Sequence, residues 1–231
     1  MNEYRILSRD IARLMAVDKS QSNTALQNAI RRRNSIISNT ENKLPVLDAL
    51  LKQSNFEDKS HTLFYVGEGK AIDPSLEDDI TQLEVLSDVI SKNGWNVSKF
   101  TSLENRSERV RIMDSFSKGD MDGLVSMRVL DEGIDIPQCK RAFILASSRN
   151  SRQFIQRRGR ILRKYPGKDY AEIYDFIVLP KGGAEDECFR NLARKELIRA
   201  MDFVRLANNR KHCESVACEI GLEFDIELEE V

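Results

Sequence analysis

Five short apolar runs alternate with helix-like segments from residue 61 onward, and this alternation most limits the possible folds. The first run, 62–66, is a block of apolar residues ended by Gly67, which is typical of a parallel strand buried on both faces. The predicted strands are 62–66, 95–100, 123–127, 141–146 and 170–179. Strands joined through helices by short connections form right-handed βαβ units. The sequence therefore predicts an α/β fold, a parallel sheet flanked by helices.

Two of the intervening helices carry recognisable ends. The first follows Asp73, Pro74 and Ser75 and ends at Gly94, where a glycine permits the left-handed conformation of a helix C-terminus. The second is predicted to begin at an N-cap formed by either Asn105 or Ser107, since both side chains can accept from the first turn. It ends near Gly119.

Helical patterns without strands lie on both sides of the sheet region. The predicted helices are 4–17, 24–38 and 44–51 before it, and the long segment 185–206 after it. The last residues, 219–231, are either a short strand or a frayed tail. These patterns predict a helical N-terminal lead-in over 1–43, a sheet domain over 44–180 and a C-terminal helical extension with a long helix over 181–231.

Charge and cysteine content narrow the class of protein. The 231 residues include 36 basic and 37 acidic residues, so a protein that coats a polyanion over its whole surface is excluded. Contact with nucleic acid must come from a local patch; the run 31–33 of three arginines is either such a patch or a solvated face.

The four cysteines form no Cys-x-x-Cys pair, and His212, Cys213 and Cys218 are a weak zinc signal, so we expect no metal site. Reduced thiols indicate a cytoplasmic protein. No apolar run approaches the roughly 20 residues of a membrane span, and no signal peptide is recognisable, so we expect no membrane partner.

The segment 151–163 is the richest in arginine and is predicted to be a helix with two faces. At about 100° per residue, an apolar arc contains Phe154, Ile155, Ile161 and Leu162. Nearly opposite, Gln156, Arg160 and Arg163 form one stripe, because they are spaced i, i+4, i+7. Guanidinium groups bind phosphate oxygens in two-point fashion, although an ordinary solvated basic face has the same composition. We name this segment the arginine helix.

In a doubly wound sheet, ligands bind beyond the carboxyl ends of the strands. Gly67, the turn containing Gly133 and Asp135, and the start of the arginine helix are all predicted to reach that edge. Glycine permits close backbone approach, a carboxylate accepts from ribose hydroxyls, and guanidinium binds phosphate. Together they predict a nucleotide site. Gly133 could instead serve only a tight turn, Asp135 could cap the turn before Pro137, and Arg157 could form an intramolecular ion pair.

Four segments, in this order and spacing, resemble the helicase C-terminal domain, the second RecA-like domain of superfamily-2 helicases and translocases. The matching segments are 63–67 (motif IV), Thr101 and Ser102 with 109–116 and Gly119, 132–137 (motif V), and 156–160 with Arg163 (motif VI). The resemblance covers about 44–179 and is closest in style to excision-repair helicases and restriction-enzyme motor subunits. It implies a RecA-like fold for the sheet domain.

The resemblance also implies roles for individual residues. Arg160 and Arg163 correspond to arginine fingers that reach the terminal phosphate of ATP held by the first lobe. The expected nucleotide-binding residues are Gln156, Gly133, Asp135 and Arg157, with Asp135 at the ribose. The expected nucleic-acid contacts are Gly67, Thr101, Ser102 and Arg128. The chain departs from the family pattern at 126–128, because the threonine that often starts motif V is absent.

No Walker A sequence and no DEAD or DExH box occurs in the 231 residues. The resemblance therefore implies half of an ATP-dependent motor, inactive alone, with ATP and Mg²⁺ held by an N-terminal RecA-like lobe. Its expected partners are that lobe and nucleic acid, with DNA favoured over RNA. Two alternatives stay open: the motor piece of a restriction enzyme, and a nucleic-acid-binding or protein-binding module that has lost motor activity.

Overall fold

A computed structural model describes most of the chain as helices and strands. It covers residues 1–17, 24–38, 40, 42–53, 56–66, 76–101, 103–127, 136–145, 159, 161–182 and 184–227. The helices are α1 (Asn2–Val17), α2 (Thr24–Ser38), α3 (Lys43–Gln53), α4 (Leu76–Lys92), α5 (Arg106–Lys118), α6 (Glu187–Val204) and α7 (Arg210–Glu223). The strands are β1 (Thr62–Val66), β2 (Val97–Phe100), β3 (Gly123–Met127), β4 (Arg141–Ile144) and β5 (Glu172–Asp175).

The chain divides into two compact units. One, the sheet unit, is Ile37–Phe176; the other, the helical unit, combines Met1–Ile36 with Ile177–Val231. The domain limits expected from the sequence, after residues 43 and 180, stay a prediction.

The five strands form one parallel sheet in the order β2-β3-β1-β4-β5. Thr62 of β1 pairs with Gly123 of β3 on one side and with Arg141 of β4 on the other. The prediction of an α/β parallel-sheet fold flanked by helices is confirmed, and β1 and β3 have the predicted bounds. The predicted strand 170–179 is much longer than β5, because apolar character continues beyond the paired residues.

One face of the sheet carries an aromatic ladder across neighbouring strands. The rings of Phe64 and Phe143 stack with centroids 4.8 Å apart, and those of Phe143 and Tyr174 with centroids 4.7 Å apart. The ladder follows from the register, since Phe64 pairs with Phe143 and Phe143 with Tyr174. Apolar side chains of α3 and α4 cover this face; they include Leu47, Leu51, Leu83, Leu86 and Ile90.

The backbone of β1 comes so close to the first residue of β3 that this position requires a glycine, Gly123. A Cβ atom at this position would lie 2.5 Å from the carbonyl oxygen of Thr62 on the neighbouring strand. That separation is too short for any real side chain, so a larger residue would push β3 away from β1.

The structure shows which of the two candidate residues, Asn105 or Ser107, caps the N-terminus of α5. Asn105 is the N-cap: its side chain accepts from the backbone N–H of Glu108, and the Glu108 carboxylate accepts from the backbone N–H of Asn105. This reciprocal arrangement is a capping box. Gly119 ends the helix with φ 78°, a left-handed conformation that favours glycine.

In the helical unit, α1 packs against α6, and Arg5 Nη1 lies 3.2 Å from Asp186 Oδ2. One core cluster of this unit consists mainly of small and medium side chains; its buried members are Ala193, Leu197, Ala217, Phe224 and Ile226. The predicted long C-terminal helix is confirmed as α6.

The expectation of a strand or frayed tail over 219–231 is wrong for residues 219–227. Glu219 belongs to α7, and Phe224 and Ile226 behind that helix are buried. Charged residues interrupt the apolar pattern of this segment, so its helical period is weak in the sequence. None of the helices within the described ranges has the length and apolarity that a membrane crossing requires.

Candidate functional site

The segments that carry the predicted site begin at one edge of the sheet. Because β2, β3, β1 and β4 are adjacent and parallel, their carboxyl ends lie at the same edge. Thr101 follows the last residue of β2, Gly67 follows β1, and Arg128 follows β3. The chain that leads to the arginine helix leaves from β4 at this edge. This edge is where parallel α/β sheets bind ligands.

Most of the residues predicted to form the site lie outside the described residues. These are Gly67, Ser102, Arg128, Gly133, Asp135, Gln156, Arg157 and Arg160. Their roles stay predictions. The structure describes the two others, Thr101 and Arg163. The predicted stripe of Gln156, Arg160 and Arg163 is wrong at Arg163, because the helix ends before that residue.

Thr101 is held by its own neighbours. Its backbone N–H donates to Glu104 Oε2 at 2.6 Å, and its hydroxyl donates to the same carboxylate at 3.0 Å. The hydroxyl oxygen also accepts from the backbone N–H of Leu103 at 3.1 Å. A phosphate that bound the hydroxyl of Thr101 would therefore have to displace the carboxylate of Glu104.

Arg109 fixes the same turn from the other side. Its Nη2 donates to the carbonyl oxygen of Thr101 at 2.6 Å, and its guanidinium lies 5.5 Å from the centre of the Phe100 ring. Glu104 and Arg109 were not assigned these contacts from the sequence. An acidic residue three positions after a threonine, the pattern of a capping box, could have indicated Glu104.

Arg163, the last residue of the segment named the arginine helix, is exposed and lies two residues beyond the helical residue Ile161. Gly159 and Ile161 are helical, Ile161 is fully buried as predicted, and Leu162 already lies in a turn. The placement of Leu162 in the buried arc is wrong, because it is 41% exposed. The helical period no longer applies once regular hydrogen bonding has ended.

The end of the motif V segment is anchored in the sheet unit. Ile136 and Cys139 are fully buried, and the backbone N–H of Cys139 donates to the carbonyl oxygen of Ile136 at 3.0 Å. Burial raises the pKa of the Cys139 thiol to about 12. The thiol is therefore protonated at neutral pH and fills space rather than acting as a nucleophile.

Two of the three arginines in α2 have partners within the helical unit. Arg32 Nη2 lies 2.7 Å from Glu3 Oε1, and the Arg33 guanidinium lies 5.7 Å from the centre of the Tyr4 ring. These contacts join α2 to α1 and favour an intramolecular role over a phosphate contact. Among the described residues, no group of three His, Cys, Asp or Glu side chains could hold a metal ion.

Comparison with known proteins identifies the family. Residues 42–165, more than half of the chain, match the family described as the helicase conserved C-terminal domain. The chain belongs to this family. The resemblance inferred from the four motif segments is thereby confirmed.

Curated relatives match only parts of the chain. The DNA 3'-5' translocase XPB2 of Sulfurisphaera tokodaii is 40% identical over 60 residues, which are 26% of this chain and 14% of the relative. The UvrABC system protein B of Synechococcus elongatus is 33% identical over 90 residues, 37% of this chain and 14% of the relative. The match thus spans about one seventh of these longer proteins.

The C-terminal domain of the DEAD-box protein Dbp5 is among the solved structures to which the chain is similar. That similarity has a TM-score of 0.49 at 18% identity and covers 77% of this chain and 91% of the Dbp5 domain. The C-terminal part of the Fun30 ATPase domain gives a TM-score of 0.47 at 15% identity, with 69% of this chain and 53% of that one covered.

Proposed function

We propose that the chain is the second motor lobe of an ATP-dependent nucleic-acid helicase or translocase. Its membership of the helicase conserved C-terminal domain family supports this function. The observation that carries the proposal is the order of the parallel strands. Because β2, β3, β1 and β4 are neighbours, Thr101, Arg128, Gly67 and the chain leading to the arginine helix follow strand ends at one edge.

In this proposal, Arg160 and Arg163 contact the terminal phosphate of ATP, and Asp135 contacts the ribose. Gln156, Arg157 and Gly133 complete the nucleotide contacts. Arg163 fits such a role, because it is exposed at a helix end rather than buried in the sheet unit. When bound, ATP supplies a phosphoryl group whose developing negative charge the two guanidiniums stabilise. Arginine fingers accelerate such reactions by about 10³- to 10⁵-fold, which is roughly 4–7 kcal/mol of barrier.

The partner that completes the site is an N-terminal RecA-like lobe, which would grip ATP and hold Mg²⁺. Neither task has its usual residues here, since the 231 residues contain no Walker A sequence and no DEAD or DExH box. Nucleic acid would contact Gly67, Thr101, Ser102 and Arg128 at the same sheet edge. DNA is favoured over RNA in this proposal, and the similarity to XPB2, a DNA 3'-5' translocase, supports that preference.

The deciding experiment is nucleic-acid-stimulated ATPase activity of the complete protein that contains this chain. We expect Arg160→Ala or Arg163→Ala to lower kcat by about 10³-fold or more. The matched control is Arg13→Ala, since Arg13 is an exposed arginine on α1, outside the four motif segments. Stimulated turnover that survives Arg160→Ala would contradict the proposal.

A second measurement concerns the 231-residue chain by itself. We expect it to hydrolyse no ATP, with or without DNA, because the lobe that grips the nucleotide is contributed elsewhere. Robust turnover by the purified chain that persists after a buffer exchange and is lost in Arg160→Ala would contradict the two-lobe arrangement.

A further inference from the structure

Lys168 lies just after the arginine helix and is turned back toward it. The backbone N–H of Lys168 donates to the carbonyl oxygen of Tyr165 at 3.0 Å, which closes a four-residue turn. Pro166 and Gly167 occupy its centre, and Gly167 has φ 75°. Proline followed by a left-handed glycine is the pattern of a type II turn. The turn reverses the chain immediately before β5.

The ammonium group of Lys168 donates to three backbone carbonyl oxygens. Two belong to Ile161 and Arg163, with the Arg163 contact at 3.0 Å. The third belongs to Pro137, at 3.1 Å and 31 residues away in sequence. A lysine ammonium has three N–H donors, so each of them has an acceptor. One side chain thus joins the end of the arginine helix to the end of the motif V segment.

An ordinary role at a helix C-terminus explains only part of this arrangement. Lysine often donates to the last carbonyl groups of a helix, which have no partner within the helix. That role accounts for Ile161 and Arg163 but not for Pro137, which lies in a different segment. Lys168 is also partly buried, and this burial lowers the pKa of its ammonium group. Burial of a charge costs free energy, so the partly buried position of this ammonium group needs an explanation.

The reason lies in what the two joined segments carry. Pro137 is two residues beyond Asp135, and Arg163 supplies both a carbonyl to Lys168 and the guanidinium assigned to the phosphate. A group that holds both backbones fixes the distance between a ribose contact and a phosphate contact. Since small displacements of positioned groups slow catalysis strongly, such a tie matters for turnover.

We propose that Lys168 is a positioning residue that ties the motif V segment to the end of the arginine helix. It does not touch the nucleotide; it acts through Arg163. The effect on turnover rests on the function proposed above, whereas the tie itself does not.

Hydrogen exchange of the 231-residue chain tests the tie without any catalytic assay. In Lys168→Met we expect amide exchange in residues 136–139 and 161–165 to accelerate by about tenfold relative to the unaltered chain, because charge-assisted contacts are lost locally. Exchange in β1 and β3 should stay unchanged. The control is Lys164→Met, an exposed lysine in the same segment. Unchanged exchange in both segments would overturn the proposal whatever the ATPase results are.

A double-substitution experiment in the complete protein tests positioning through Arg163. We expect Lys168→Met to lower kcat of the stimulated ATPase by about 10- to 100-fold with the KM for ATP little changed. Lys168→Arg should restore part of kcat, since guanidinium can also donate to several carbonyls. In an Arg163→Ala background, Lys168→Met should have almost no further effect on kcat.

Two results in that experiment overturn the positioning role: an unchanged kcat in Lys168→Met, or full multiplication of the two losses in the double variant. The proposed function fails in a different way, through stimulated turnover that survives Arg160→Ala. The exchange measurement still decides the tie in that case.

Discussion

The sheet unit and the helical unit each contain one buried arrangement that differs in kind from the other. The sheet unit has the aromatic ladder of Phe64, Phe143 and Tyr174, which apolar side chains of α3 and α4 cover. The helical unit buries the ion pair of Glu196 and Arg199 on α6, where Glu196 Oε2 lies 3.0 Å from Arg199 Nη2. Apolar packing tolerates some rearrangement, whereas a buried charge depends on a few specific partners. We therefore expect the sheet unit to lose stability when a ring of the ladder is removed, and the helical unit to lose stability when one partner of the ion pair is removed.

The largest effect is expected from removing the centre of the aromatic ladder. Phe143→Ala should lower the free energy of unfolding by about 4 kcal/mol, because the ring is fully buried between two others and leaves a cavity. Urea unfolding followed by fluorescence is suitable, since the single tryptophan, Trp95, packs in the same core. Val85→Ala on exposed α4 surface is the control. A loss of unfolding free energy no greater than that of Val85→Ala would contradict the stabilising role of the ladder.

The buried charge of the helical unit should rank next. Glu196→Ala should cost about 3 kcal/mol, because it leaves Arg199 buried without this carboxylate. It also removes the acceptor of the Val178 backbone N–H, which lies 3.1 Å from Glu196 Oε2. Thermal unfolding by circular dichroism measures the loss, with the exposed Asn191→Ala on the same helix as control. If Glu196→Ala matched this control, apolar packing alone would stabilise both units.

A smaller effect is expected at the start of α5 in the sheet unit. Asn105→Ala should lower the free energy of unfolding by about 1 kcal/mol, because the capping box loses its side-chain acceptor. Ser107→Ala is the matched control, since both residues were candidate caps in the sequence. Chemical denaturation of the two variants separates them; a larger loss for Ser107→Ala would contradict the assigned cap.

The smallest effect should depend on pH. Contacts from Lys140 and Ser60 lower the pKa of the Asp58 carboxyl to about 2, below the value near 3.9 of an unfolded chain. A carboxyl whose pKa is lowered on folding adds stability above pH 4, and that stability is lost as pH falls toward 2.

Asp58→Asn should therefore cost about 0.5 kcal/mol at pH 6, because the ion pair with Lys140 is exposed. The difference from the unaltered chain should shrink as pH falls below 4. Urea unfolding at a series of pH values measures it, and a difference that is independent of pH would contradict the carboxylate's role.

Local patterns made most of the sheet unit predictable. Apolar runs bounded by glycine gave β1 and β3, and polar side chains before an amphipathic run limited the start of α5 to two candidate caps. These signals depend on neighbours in the sequence, so they can be recognised without the fold. Likewise, the order of the four motif segments along the chain is enough to indicate the family.

Contacts between distant residues were not predictable in the same way. Nothing local pairs Arg5 with Asp186, or places the ammonium group of Lys168 on the carbonyl of Pro137. The prediction for Leu162 was wrong for a related reason. The helical period indicates which residues share a face only as far as the helix continues. The end of a helix is decided by its contacts, and the sequence does not state them.

β5 lies outside the residues that match the helicase family, which end at 165. Trimming the polypeptide to the matched residues would delete β5 and uncover β4. The backbone carbonyl of Ile144 would lose the N–H of Phe176, and the ring of Phe143 would lose Tyr174. An exposed edge strand with unpaired backbone groups can pair with a strand of another chain. We therefore expect the shortened protein to self-associate through β4. The family boundary is thus a poor guide to where the molecule can be cut.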